Sequence, residues 1–241
     1  MALYRALIEL ADDHLVLGHR LSEWCGHAPM LEEDLALSNF ALDLIGTARS
    51  LYAYAAEVEG KGRTEDDLAY LRSEREYLNC LLVERPNGDF AHTMLREFYF
   101  ATFMEPFWQA ALASSDKVIA GIAGKAMKEM AYHLRHAGEW IVRLGDGTEE
   151  SAARMQAAVV DLHPYWEELF SGGDCDVLPD RAAIRPAWEA SVKAVFAEAN
   201  LDWPEPVYGQ NGGRDGMHSE VLGRMLSDMQ YLQRAHPGAT W

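Results

Sequence analysis

Four acidic residues recur along this 241-residue chain at matching intervals: Asp13 and Asp43 are thirty apart, and Glu97 and Glu129 are thirty-two apart. His133 follows Glu129 by one helical turn. Each falls in a stretch with helical periodicity, and long helices that turn one stripe inward can converge such side chains on one centre. Carboxylates hold and bridge iron while imidazoles add nitrogen ligands. A di-iron carboxylate bundle takes a Glu from each of two helices and Glu-x-x-His from each of two others. The chain carries most of that layout. Where the second helix should supply a histidine three residues after its acid, it reads Asp43-Leu44-Ile45-Gly46. The fourth reads Glu129-Met130-Ala131-Tyr132-His133, one residue longer than the motif.

Two readings follow. A bundle that has lost ligands points to a structural subunit beside an active relative. The rival keeps Asp13, Asp43, Glu97, Glu129 and His133 as ligands of an oxygen-activating centre, although Gly46 has no donor to give. A simpler origin of the spacing also stands, because regular intervals arise by chance among 38 acidic residues. A positive side chain from Arg49, Lys125 or Lys128 in the emptied position would neutralise the remaining carboxylates, unless all three face water. His136 and Trp140 extend the face of Glu129 and His133.

The elements that must position these residues are helices. Residues 3–24 place Leu7, Leu10, Ala11, Leu15, Leu17, Leu21 and Trp24 on a stripe that ends at Cys25-Gly26-His27-Ala28-Pro29. A second helix runs from about 31 to 59, opens with Glu32, Glu33 and Asp34, and closes at Gly60-Lys61-Gly62. Shorter helices over 65–84 lead to the turn Pro86-Asn87-Gly88-Asp89, whose aspartate caps a third long helix to about 114. Pro106 predicts a kink or break in it. Further helices are expected at 117–144, 149–170, from Pro186 to about 200, and 217–234. No strand pattern appears. The class is all-α: a ferritin-like helical bundle over about 3–170, with 60–88 as the crossover between helix pairs. Additional C-terminal helices occupy about 171–241, within a single domain over 1–241.

Composition narrows the partners. A formal charge of −17 repels phosphates and argues against nucleic acid; it permits a basic protein partner and favours solubility. Cys25, Cys80 and Cys175 form neither a disulfide framework nor a zinc set. The first ten residues interrupt their apolar run with charges and show no cleavage signal. No stretch approaches the ~20 apolar residues of a membrane span, so the expected location is cytoplasmic. The run Trp24-Cys25-Gly26-His27 reads as a helix-ending turn. The glycine-rich stretch 209–216 precedes a helix and invites comparison with a phosphate cradle, but it has neither the lysine and serine of a P-loop nor a strand before it. Isolated histidines such as His14, His19, His92 and His163 read as structural.

Several separated segments together resemble one family. They are Arg20-Leu21-Ser22-Glu23-Trp24-Cys25-Gly26-His27-Ala28-Pro29, Leu42-Asp43-Leu44-Ile45-Gly46-Thr47-Ala48-Arg49 and Pro86-Asn87-Gly88-Asp89-Phe90. Lys128-Glu129, Tyr132-His133-Leu134-Arg135 and Leu144-Gly145-Asp146-Gly147-Thr148 continue the match, as do Met229-Gln230-Tyr231-Leu232-Gln233-Arg234, Pro237-Gly238 and the final Trp241. The chain is similar over nearly its whole length to the C-subunit family (PaaC) of bacterial phenylacetyl-CoA monooxygenases (1,2-epoxidases) of phenylacetate degradation. The resemblance implies a ferritin-like fold and a homologous catalytic A subunit that carries the di-iron centre. That enzyme adds one atom of dioxygen to the aromatic ring, with electrons from NADPH through a separate reductase. It implies a structural role for this chain, with no cofactor of its own and other monooxygenase components as partners. A homodimer is the expected association when the chain is alone. A stand-alone helical binding protein is the reading from a different class.

Overall fold

In the computed structural model, which describes residues 1–205 and 207–239, several helices start at side chains that satisfy the backbone groups left open at a helix end. The Trp241 of the resemblance lies outside the described residues. α1 (Ala2–Ser22) leads into a turn through Gly26. α2 (Leu31–Glu59) stops at Gly60, left-handed at φ 69°, a conformation glycine adopts without a Cβ penalty. The crossover holds α3 (Glu65–Tyr70), opened by a reciprocal Thr64–Asp67 cap, and the one-turn α4 (Leu81–Glu84). Asp89 caps α5 (Phe90–Ala111) by accepting the His92 N–H. Asp116 caps α6 (Lys117–Gly145) through the Val118 and Ile119 N–H groups. α7 (Glu149–Leu162), α8 (Arg185–Glu198) and α9 (Glu220–Ala235) follow. Every regular element among the described residues is helical, and the fold is a ferritin-like bundle with additional C-terminal helices.

α5 runs unbroken through Pro106, so the expected break is absent, although the missing N–H leaves the Thr102 carbonyl without its helical donor. Pro164 matters more. The helix expected over 149–170 is α-helical only to Leu162 and continues as the tighter 3-10 form over His163–Phe170, where a proline near the start removes one rung of the α ladder.

α1 packs along α2, and α5 along α6. α5 is buried on nearly all sides, through Met94, Leu95, Phe98, Phe100, Phe103, Phe107 and Trp108 among others, as an interior helix must be. α7 and α8 cover it. Trp188 of α8 donates its indole N–H to the Tyr99 carbonyl at 2.9 Å and stacks on Trp166 with ring centroids 4.8 Å apart.

The chain beyond residue 170 is tied to α1 by charge. Glu9, Asp12 and Asp13 are all fully buried. Arg214 grips Asp13 with two bonds of 2.9 and 2.7 Å, and the Cys80 N–H adds a third at 2.7 Å. Arg181 stands 3.2 Å from Glu9. Arg72 and Tyr52 both bond Asp12. α9 is started from outside: the Ser219 N–H is accepted by Glu84 of α4 at 2.7 Å. Glu84 also takes His218 Nδ1 at 2.8 Å, while His218 Nε2 lies 2.8 Å from the Tyr77 carbonyl. A carbonyl and a carboxylate only accept, so this geometry calls for a proton on each ring nitrogen. Burial opposes that charge, but the bonds to Glu84 and to the Tyr77 carbonyl hold the imidazole above its usual pKa.

Two measurements check these ties. Arg214→Met strands a buried aspartate and should lower unfolding stability by about 3 kcal/mol, read from urea midpoints at constant slope. The raised pKa of His218 means that its charge contributes fully below the unfolded value of about 6.5 and is lost as pH rises through the higher folded value. The stability gap between the wild-type chain and His218→Gln should therefore be wide at about pH 6 and shrink as the pH is raised towards about 9; a gap that widens over that range would contradict the assignment.

Candidate functional site

α2, α5 and α6 bring Asp43, Glu97, Glu129 and His133 to one place. His133 is buried, and its ring lies against Phe40 with centroids 3.9 Å apart and planes 22° apart. Its Nδ1 is 2.8 Å from Glu97 Oε1, and its Nε2 is 3.4 Å from Asp43 Oδ2. Both nitrogens thus face carboxylate oxygens, an arrangement that favours the protonated ring. Burial works against the charge, and the bonds to Asp43 and Glu97 outweigh it to raise the pKa. Burial also raises the carboxyl of Glu129, against the hydrogen bond from Lys125 at 3.0 Å. One turn further along α6, His136 bonds Glu33 at 2.8 Å.

The centre runs from interior to surface. The side chains of Glu97 and His133 are 0% exposed, Glu129 is 15%, Asp43 is 35% and Lys125 is 63% exposed. Of the three cations expected from the sequence, Lys125 reaches the centre. Arg49 pairs with Glu65 while 75% exposed, and Lys128 is exposed.

Asp13, the fifth expected member, is turned away into its bonds with Arg214. Successive residues on a helix point about 100° apart, and α1 presents His14 to the centre instead. His14 is fully buried, and its charge state is coupled to Glu97 and His133. Its Nδ1 is 2.7 Å from the Leu10 carbonyl, which requires the proton on Nδ1 and leaves Nε2 as a bare lone pair. Burial pushes its pKa down to about 4, so it stays neutral. Sequence reasoning passed over His14 because a lone histidine in an apolar helix is ordinary. The stronger signal was the inward block Glu9, Asp12, Asp13, His14 on one helix, which demands partners from elsewhere.

The standard di-iron donor set is incomplete here: Gly46 has no donor, and Asp13 is committed to an arginine. Among the described residues no three His, Cys, Asp or Glu side chains stand where they could hold a metal ion.

The glycine-rich loop already holds an anion, and it is internal. Glu168 Oε1 accepts the Gly212 and Arg214 N–H groups at 2.9 and 3.2 Å, and its Oε2 accepts the Leu81 N–H at 2.7 Å. A phosphate finds those donors taken. The run 24–27 is a turn closed by backbone bonds, with Cys25 exposed.

Comparison with known proteins agrees with this architecture. A family model described as phenylacetic acid catabolic protein matches residues 1–241. The C subunit of the 1,2-phenylacetyl-CoA epoxidase of Escherichia coli (strain K12) is 45% identical over 241 residues, covering 97% of this chain and 97% of its own.

The burial gradient sets the expected cost of each substitution. His133→Leu leaves Glu97 buried without its cation and should destabilise the chain by about 3 kcal/mol. Asp43→Asn, at the wetter end, should cost about 1 kcal/mol or less. Equal costs in denaturant unfolding would show that burial does not rank the two sites.

Proposed function

The chain belongs to the phenylacetic acid catabolic protein family, and on that premise we propose that it is the non-catalytic C subunit of a phenylacetyl-CoA 1,2-epoxidase, supporting a homologous di-iron A subunit in phenylacetate catabolism. The observation that supports this reading is the incomplete donor set: Gly46 stands where the second helix would supply a histidine, Asp13 is bound to Arg214, and His133 is held between Glu97 and Asp43. The identity to an epoxidase C subunit over nearly the whole of both chains supports the substrate class. Electrons for the assembled enzyme come, on this reading, from NADPH through a separate reductase, and iron is held by the A subunit. The proposed location is the cytoplasm; no helix among the described residues is long and apolar enough to cross a membrane. We further propose that residues 1–241 act as one folding unit, supported by the ties of Arg181 and Arg214 to α1.

A scaffold needs a surface to offer. Leu31, Leu35 and Leu42 are 72%, 58% and 68% exposed and fall within about 40° of one another around α2. Tyr132 on α6 is also exposed. Exposed apolar stripes of this kind mark protein contacts, which supports an A-subunit partner, and a second copy of this chain when that partner is missing.

One observation favours a second reading, in which this chain itself activates oxygen. Glu97 Oε2, Glu129 Oε2 and His14 Nε2 are buried acceptors without a hydrogen-bond partner, and bare acceptors attract a cation. Metal content decides between the two. Purified from iron-supplemented cells, the chain alone should carry no iron, and its co-purified complex should carry only what the A subunit binds by itself. About two irons per copy of the isolated chain would overturn the scaffold reading.

A further inference from the structure

We propose that Lys125 is the resident cation of the α2–α6 centre, its ammonium standing where a ligand side chain at position 46 would have to pass. A Cβ built on Gly46 lies 3.4 Å from Lys125 Nζ, with no other atom in contact. An imidazole whose rotamer continues in that direction meets the ammonium. Gly46 follows Asp43 by three residues on α2, and Lys125 precedes Glu129 by four on α6, so each pair shares a helix face. Lys125 therefore crosses between the two helices at the level where a fourth-helix acid and a second-helix histidine would meet. Its Nζ is 3.0 Å from Glu129 Oε1.

The consequence is a division of the carboxylates between two protein cations. His133 serves Glu97 and Asp43, and Lys125 serves Glu129, on the side of the centre that opens to water. A metal ion in such a bundle neutralises the acids that hold it; here side chains do so, and the glycine is what gives the lysine room. With 63% of its side chain exposed, Lys125 acts through partial contact, and the effect of removing it is correspondingly small.

The inference rests on the scaffold reading in one respect, that the wild-type chain holds no metal at this place. Cobalt(II) added to the full-length chain tests both, read by visible absorption and by Tm. The wild-type chain should show no cobalt band and an unmoved Tm. Lys125→Met should melt about 2 °C lower, while Lys125→Arg, which keeps the charge, should behave as wild type. Gly46→His combined with Lys125→Met, which adds a donor as it removes the cation, should give a saturable cobalt band. Cobalt bound at the wild-type centre would end both readings. A Lys125→Met chain with unchanged Tm would end this one alone, and that single variant decides the matter even where the double variant fails to fold.

Discussion

Burying a carboxylate in an apolar bundle costs several kcal/mol unless a counter-charge and hydrogen bonds arrive with it. α1 takes three acids into the interior, and most of their partners lie far along the chain: Arg72 for Asp12, Arg214 for Asp13, and Arg181 beside the local Arg5 for Glu9. The first helix is therefore tolerable only when the crossover and the C-terminal segment have closed over it. This makes the region beyond residue 170 part of the bundle's electrostatics. The glycine-rich loop follows the same logic, since Gly212 and Arg214 turn their N–H groups onto Glu168. Gly213 allows that approach: a Cβ there would lie 2.2 Å from the Asn79 carbonyl oxygen, a distance no side chain survives.

The same requirement shapes the centre between α2, α5 and α6. A metal-binding imidazole presents a lone pair to the ion and gives its other nitrogen to a supporting acceptor. His133 gives its Nδ1 to the buried Glu97 and turns its Nε2 towards Asp43, and these acids favour positive charge on the ring. Its clamp on Glu97 is wholly buried, whereas Asp43 is partly exposed and Glu129 is paired with Lys125. The interior half of the centre is consequently the part that the fold depends on, and the outer half is free to respond to whatever covers α2 and α6.

Much of the fold was legible because its signals are local. Gly60 and Asp89 mark helix ends by backbone chemistry that needs no tertiary contact, and the long helices follow from their periodicity. The site was legible where a helix repeat alone decides direction, as for Asp43, Glu97, Glu129 and His133. It failed at Asp13, because intervals of about thirty residues cannot distinguish a position from its neighbour, and one step along α1 exchanges the centre for the arginine side. His14 carried no motif to announce it. The arginine partners were invisible for a physical reason: Arg214 and Asp13 are 201 residues apart, and nothing local in either segment encodes the other. Pro164, unlike Pro106, changed the helix it sits in because it falls near a helix end, where the tighter 3-10 ladder is readily available.

On the scaffold reading proposed above, a bundle of this kind cannot shed its metal chemistry by losing one ligand alone. Removing a histidine from position 46 while keeping Asp43, Glu97 and Glu129 would leave three acids in mutual repulsion. Charge must return from the protein, and both routes are visible, one through a doubly hydrogen-bonded His133 and one through Lys125 over Gly46. The result holds its shape through interactions that need neither iron nor an oxidation state. For a proposed scaffold that is an advantage, because the leucine stripe on α2 and Tyr132 on α6 stand on helices positioned by this centre. Their geometry is then set by the chain itself, before and after any partner acquires its metals.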